Sequence, residues 1–373
     1  MSSYTGFGGG ERILVNLMDR LDPERYTLHL VVPGPGQFAT AAESAGVTVH
    51  YLPFRGVTTW FVPAIWRQFP VAHKLRALVR KLKPDAIISN YHALPFAVPA
   101  GQAIRVPVIW YAIGWWFPVL PWQYAFFRQD VTQIVAASQS VRDRWLGDDS
   151  FMPPESIPVI LPGVDEAYFQ PGMDGSAIRE QLNIGPDVPL VAMLARFQHV
   201  KGHDVFQDMI LRLHEQIPEA RFVVAGENVF GVRKDETYKQ AILTNARENP
   251  VLNRCLTYLG FFADPRPVVA AADVVVCPSR FESLGMVHLE SMAMGCPVVS
   301  MNNGGPAETI LDGETGYLVP PEDPAALADR VLAILRDPAL RARMGQAGRE
   351  RVLTYFTAQG YAEQFSQLIE SLI

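Results

Sequence analysis

"DVVVCPSRFESLGMVHLESMAMGCPVVSMN", residues 273–302, reads as a buried strand, a short loop, a helix and a second buried strand. Runs of Val and Cys without polar alternation are what a strand covered on both faces looks like. A helix between two such strands is the crossover unit of a parallel sheet. Met286, Leu289 and Met292 take the core-facing side of that helix.

The same alternation extends both ways. Upstream, "PLVAMLA" (189–195), "ARFVVAG" (220–226) and "CLTYLGF" (255–261) read as strands, and "TGYLVPP" (315–321) follows downstream. An earlier series precedes them: "YTLHLVVP" (26–33), "VTVHYLP" (47–53), "DAIISN" (85–90), "VPVIWYA" (106–112) and "QIVAAS" (133–138). Helical patterns such as "ERILVNLMDRL" and "AHKLRALVRKLK" lie between them. Two α/β series of similar size predict two Rossmann-like domains, with "IPVILPGVDEAYFQPG" (157–172) as the linker. The boundary falls at 163/164, the second domain runs over 164–355, and a closing helix, 356–373, crosses back to complete the first. Ligands of open α/β sheets bind beyond the carboxyl ends of the strands, so a cleft between facing domains is the expected site.

Composition narrows the class. The 373 residues are 49% hydrophobic and 19% charged, with a net charge of −6. That balance argues against a nucleic-acid binder, which would carry a basic footprint. Cys255, Cys277 and Cys296 are too scattered for a disulfide framework or a zinc site. They point to a reducing compartment, hence a cytoplasmic protein or one peripheral at the inner face of a membrane. No run of about 18 apolar residues is present to span a bilayer.

Chemistry concentrates in the quoted segment. Glu282 and Glu290 are eight residues apart, about 12 Å if the stretch between them is largely helical. Gly285 at the helix entrance would expose the N–H groups of Ser283, Leu284, Gly285 and Met286, where the helix dipole favours a phosphate. Carboxylate, anion hole and carboxylate suit a sugar, a diphosphate and a ribose. The competing reading is a capping arrangement with Glu290 solvated. "LARFQHVKGHD" (194–204), after the first strand of the second domain, adds Arg196 and Lys201, two cations suited to a diphosphate leaving group. His199 and His203 read as local hydrogen-bonders, and no carboxylate or histidine cluster has metal-ligand spacing.

"GGGER" (8–12), "VILPGVDEAYF", "ARFQHVKGHD" and the run from "LGFFADPRPVV" through "GGPAETILDGETGYLVPPED" together resemble glycosyltransferase family 4 over nearly the whole chain. The resemblance implies the GT-B fold and a retaining transfer from a UDP- or GDP-type sugar to an acceptor hydroxyl. It implies that Arg196 and Lys201 grip the donor diphosphate, Glu282 contacts the sugar, and Glu290 binds the ribose. Phe261 or Phe262 would lie near the base, and Gly9 and Gly10 would let the first, acceptor-side domain approach the phosphates. No metal or other cofactor is implied. Two other readings stand beside it: a relative that hydrolyses or epimerises its nucleotide sugar, and a non-catalytic nucleotide-sugar binder.

The chain departs from the family in three places. The histidine that many members carry after "VPVIWYA" is absent, and His92, after the preceding strand, is the nearest substitute for touching substrate. Trp60, Trp66, Trp110, Trp115, Trp116 and Trp122 cluster with Phe61, Tyr111, Phe117, Tyr124, Phe126 and Phe127. The stretch 55–83 adds Arg55, Arg67, Lys74, Arg76, Arg80, Lys81 and Lys83 with no Asp or Glu before Lys83. This pattern fits an interfacial surface within 55–127 for anionic lipid, an aromatic wall for a bulky apolar acceptor, or an ordinary core beside a solvated basic helix. Finally, relatives carry a strand just before the glycine loop, and "MSSYT" is too short and polar to replace it. The first strand of the N-terminal domain is therefore expected to be missing, from an N-terminally shortened chain or a start assigned too far downstream.

Overall fold

The computed structural model describes residues 1–56, 69–115, 119–148, 150–228 and 233–373. The chain divides into two compact units, 1–163 with 358–373, and 164–357. The strands are β1 (His29–Val32), β2 (Thr48–Tyr51), β3 (Ile87–Ser89), β4 (Val108–Ala112), β5 (Gln133–Ala136), β6 (Leu190–Leu194), β7 (Arg221–Ala225), β8 (Leu256–Gly260), β9 (Val274–Cys277), β10 (Val298–Met301) and β11 (Gly316–Val319). All pairings between them are parallel. Each expected strand is present, shortened by up to three residues at either end. The helices that bear on the site are α1 (Gly9–Arg20), α2 (Phe69–Leu82), α3 (His203–His214), α4 (Met286–Ala293), α5 (Pro306–Thr309), α6 (Pro338–Tyr355) and α7 (Ala358–Leu372).

In the first unit β1 pairs with β2, and β3, β4 and β5 form a separate sheet. No strand precedes β1 among the described residues. Met1 and Ser2 instead touch both sheets: the Met1 amino group donates to the Ile88 carbonyl at 2.6 Å, the Met1 carbonyl accepts from Asn90 N–H, and Ser2 N–H donates to the Val31 carbonyl at 3.1 Å. The glycine cluster leads straight into α1, whose entrance is fixed by the Glu11 carboxylate accepting Gly8 N–H at 2.9 Å. Ile13 and Leu17 form its buried side. α7 packs on α1 and the segment after it. The Tyr26 hydroxyl meets Ser366 Oγ at 2.6 Å and donates to Glu370 at 2.8 Å, and Tyr111 packs edge-on to Phe365.

The aromatic-rich stretch is mostly core. Tyr91, Trp110, Phe127 and Trp145 stack together with ring centroids 4.9–6.2 Å apart, and Trp145 Nε1 donates to the Gly114 carbonyl. The surface reading is thereby corrected for Trp110, Tyr111 and Phe127, which are at most 2% exposed. Trp110 and Tyr111 pack because β4 is covered on both faces, and Phe127, on the helix Tyr124–Gln129, packs on Trp110. Trp122, at 59%, is the exposed tryptophan among the described residues, and α2 carries exposed His73, Lys74, Arg80 and Lys81 opposite buried Leu75 and Val79. Trp60, Phe61, Trp66, Arg67, Trp116 and Phe117 lie outside the described residues.

In the second unit the strand order is β11-β10-β9-β6-β7-β8. The chain starts in the middle at β6, winds outward through β7 and β8, then returns to β9 and winds the other way. β6 and β9 are therefore adjacent, with Val191 opposite Val274 and Ala192 opposite Val275. The space beyond their carboxyl ends is the topological switch point, where no crossover helix fills the gap. Val191, Val274, Val275 and Val276 are fully buried between helices on the two faces.

Candidate functional site

Two loops meet at the switch point, one after β6 and one after β9. The β6 loop runs to a short 3₁₀ turn, His199–Lys201, and Gly202 turns the chain into α3 with φ of +69°. A Cβ on Gly202 would sit 1.9 Å from the Pro278 carbonyl oxygen, so only glycine allows the two loops to touch here.

The contact places Lys201 against Glu282. Lys201 Nζ donates to Glu282 Oε1 at 2.6 Å, and Ser279 Oγ donates to the same oxygen at 2.7 Å. The two side chains are 22% and 15% exposed, shielded but still reachable from solvent. Burial by itself would raise the Glu282 carboxyl. The positive charge of Lys201, the nearby His288 and the two hydrogen bonds outweigh it and hold the group below its ordinary value. Glu282 is thus an ionised carboxylate at neutral pH.

A third loop braces this carboxylate from behind. Glu282 N–H donates to the Asn303 carbonyl at 3.1 Å, and Gly305 N–H donates to the Glu282 carbonyl at 2.8 Å. A Cβ on Gly305 would lie 2.4 Å from Ser283 O and 2.5 Å from Leu284 Cα. Asn303, Gly304 and Gly305 thus form a backbone cradle, with no side chain separating it from the loop.

Glu282 itself is not helical, which corrects the spacing argument. α4 begins at Met286, because Gly285 caps it in the left-handed region with φ of +96°. Ser283, Leu284 and Gly285 form the turn before the helix, and their N–H groups and that of Met286 belong to its entrance. The imidazole of His288 fills the inside of this turn: a Cβ on Gly285 would sit 2.2 Å from His288 Nδ1. His288 Nδ1 lies 3.1 Å from the Thr309 hydroxyl oxygen, which is itself within hydrogen-bond distance of the Pro306 carbonyl. Glu290, one helical turn further on, is 6% exposed. Neither glutamate is a solvated surface residue.

Arg196 is half-buried just beyond β6, and Phe262 is half-buried beyond β8 while Phe261 is 52% exposed. Gly9 is exposed and Gly10 half-buried at the start of α1. His92 sits between Tyr4 and Tyr91, edge-on to both rings at 5.8 and 5.5 Å. These last three belong to the first unit. His203 is buried and stacked on Phe197 at 4.5 Å, with burial pushing it down to about 4, so it is a neutral packing residue. Among the described residues no three His, Cys, Asp or Glu side chains group as a metal site. The sequence reading overlooked Ser279, Asn303 and His288. The first stands three residues before Glu282, a spacing from which it could have been suspected.

Two family models cover most of the chain. The one described as "Glycosyltransferase Family 4" matches residues 7–168, and "Glycosyl transferases group 1" matches 174–351. A D-inositol 3-phosphate glycosyltransferase of Corynebacterium aurimucosum is 33% identical over 327 residues, covering 85% of this chain and 67% of the relative. Its counterpart in Corynebacterium efficiens is 34% identical, covering 58% and 51%. A GDP-mannose-dependent alpha-(1-6)-phosphatidylinositol monomannoside mannosyltransferase of Mycolicibacterium smegmatis is 31% identical, covering 65% and 63%. The chain spans about half the length of the Corynebacterium efficiens relative. Among solved structures, Anabaena Alr3699/HepE in complex with UDP-glucose superposes with a TM-score of 0.81 at 21% identity, covering 99% of this chain and 98% of that one. Sucrose-phosphate synthase from Thermosynechococcus elongatus gives 0.75 at 22%, covering 98% and 94%. These neighbours share the GT-B fold. By sequence and fold, the chain belongs to glycosyltransferase family 4.

Proposed function

We propose that the protein is a retaining, metal-independent glycosyltransferase whose second unit, 164–357, binds a nucleoside-diphosphate sugar. The observation that carries this reading is the Lys201–Glu282 pair at the switch point of a doubly wound sheet, beside the N–H groups of a helix entrance. Lys201 and Arg196 bind the diphosphate and neutralise the charge that develops on it as the glycosidic bond breaks. The N–H groups of Ser283, Leu284, Gly285 and Met286 close around sugar and phosphate. Glu282, kept ionised, accepts hydrogen bonds from the sugar hydroxyls, and Glu290 accepts those of the ribose. Phe261 or Phe262 stacks on the base. The acceptor hydroxyl attacks from the same face that the phosphate leaves, and the leaving phosphate takes its proton. Gly9, Gly10 and His92 serve the acceptor-side unit, 1–163.

A relative named as GDP-mannose-dependent and a structural neighbour solved in complex with UDP-glucose support a nucleotide-sugar donor, with either base open. The mannosyltransferase relative is named for a phosphatidylinositol-based acceptor. With exposed Trp122 and the basic side of α2, it supports a lipid-linked acceptor met by a peripherally bound protein. No helix among the described residues is long and apolar enough to cross a membrane.

The test is a thermal-shift screen of UDP and GDP, followed by incubation with UDP-glucose and GDP-mannose and NMR of the released sugar or product. Stabilisation by one nucleotide and an α-linked product from an α-linked donor support the reading. No stabilisation and no turnover with any nucleotide sugar overturn it. Flotation with liposomes, with and without anionic phospholipid, tests the membrane contact separately.

A further inference from the structure

The loops carrying Lys201 and Glu282 come from strands far apart in the chain, and something other than the pair itself must hold them in register. Arg280 touches both. Its N–H donates to the Val200 carbonyl at 2.7 Å, and its Nη1 donates to the His199 carbonyl at 2.8 Å. Its Nη1 and Nη2 donate to the two oxygens of Asp204, at 2.9 and 2.8 Å. On the other side Nη2 donates to Glu322 Oε2 at 3.1 Å, with Nε 2.6 Å from Oε1. The Arg280 carbonyl accepts from the Asn303 side chain. All three guanidinium nitrogens are committed, and two carboxylates hold the group edge-on as bidentate forks.

We propose that Arg280 is a positioning residue: with Asp204 and Glu322 it clamps the loop after β6 to the loop after β9 and so fixes Lys201 against Glu282. This rests on the reading of Lys201 as a diphosphate-binding cation, and it concerns how that lysine keeps its place. A donor diphosphate competes with Glu282 for Lys201 Nζ. The pair must loosen as the donor binds, so it cannot also be what holds the two loops together. The clamp lies one residue before Lys201 and two before Glu282 and leaves both side chains free to change partner.

Two further observations point the same way. Glu322 is a non-glycine residue held in the left-handed region, with φ of +56°. Such strain persists where surrounding contacts over-determine it, and here its carboxylate is fixed on Arg280. Asp204 Oδ1 also accepts from the Tyr238 hydroxyl at 2.9 Å, so the clamp is anchored to a second helix rather than swinging with α3. Lysine in place of Arg280 would keep one charge but lose the planar fork that engages both carboxylates.

The experiment reads Lys201 directly. Folded protein is treated with limiting acetic anhydride, and acetylation of Lys201 and Lys239 is followed by mass spectrometry. Lys239, paired with Glu227 at 2.5 Å, is the internal control for a general loosening of the unit. Arg280→Met is expected to speed Lys201 labelling several-fold, approaching the rate in Glu282→Gln, with Lys239 unchanged; Arg280→Lys falls between. Asp204→Asn, which removes charge but little volume, gives the same direction if Arg280→Met folds poorly. Unchanged Lys201 labelling in folded Arg280→Met and Asp204→Asn overturns the proposal, as does equal acceleration at Lys239. With UDP-glucose or GDP-mannose, Arg280→Met lowers kcat/KM for the donor by about tenfold or more, the cost of a misplaced charge-assisted contact. Wild-type protein that binds and turns over neither nucleotide sugar overturns the functional reading, and the labelling ratio still decides the clamp.

Discussion

Lys201 Nζ and Glu282 Oε1 are 2.6 Å apart across 81 residues of sequence. They meet because β6 and β9 are neighbours, so the site is created by the sheet order rather than by any local motif. Each group arrives on a loop whose close approach depends on a glycine, Gly202 on one side and Gly305 on the other.

Removing either member of the pair should separate chemistry from folding. Lys201→Ala and Glu282→Ala are expected to abolish sugar transfer and to cost about 1–3 kcal/mol, since the remaining partner is only partly shielded. For a unit of this size that is a fall of roughly 3–10 °C in Tm. Transfer assays beside calorimetry check this, and near-normal transfer by either variant would sink the site assignment.

Gly305→Ala tests the backbone cradle. Its Cβ would meet main-chain atoms, Ser283 O and Leu284 Cα, which cannot turn aside as a side chain can. The loop carrying Glu282 must shift, at a cost on the order of 1–3 kcal/mol. Nucleotide affinity and turnover should fall together. An alanine variant with wild-type activity would show that the loop tolerates displacement.

Acid should weaken the second unit well before carboxylates titrate. Burial pushes His288 and His203 down to about 4; Glu282 and Asp204 respectively oppose this, and Lys201 adds to it in both. A histidine whose folded value lies below the unfolded one leaves the unfolded chain the better proton binder between the two. Its contribution is fully present above pH 6.5 and is lost as pH falls toward 4, up to about 3 kcal/mol for each group. Denaturation midpoints measured from pH 7.5 to 4.5 should decline, and His288→Gln should flatten the decline. Parallel curves for the two proteins would contradict the assignment.

Phe261 offers a test of the base end. It is 52% exposed, so Phe261→Ala should leave stability unchanged. If the base stacks on it, affinity for the nucleoside diphosphate drops by about 1–3 kcal/mol. Titration calorimetry with UDP and GDP decides it; equal affinity would move the stacking role to Phe262.

The strands were legible because a parallel strand buried on both faces has to be a short apolar run, and "DVVVC" or "VPVIWYA" has no other comfortable place in a globular fold. Sheet order was implied only through the fold class. Gly285 was legible as the helix entrance, but spacing alone cannot reveal that Glu282 lies in the non-helical loop before it. Nothing local in the sequence marks Arg280, since its partners Asp204 and Glu322 lie 76 and 42 residues away. The tryptophan cluster showed the opposite failure: composition marks aromatic density without saying which rings face inward, and Trp110 and Trp122 differ only in the elements that carry them.

All three cysteines are buried, and burial raises every one of their thiols, Cys296 to about 12. Thiolate is the reactive form, so folded protein should be nearly silent toward maleimides and disulfide reagents. The native chain is therefore a ready background for site-directed probes. A Phe261→Cys variant would carry one fast-reacting thiol beside the proposed base pocket, and a fluorophore there would report nucleotide arrival in real time without any cysteine having to be removed first.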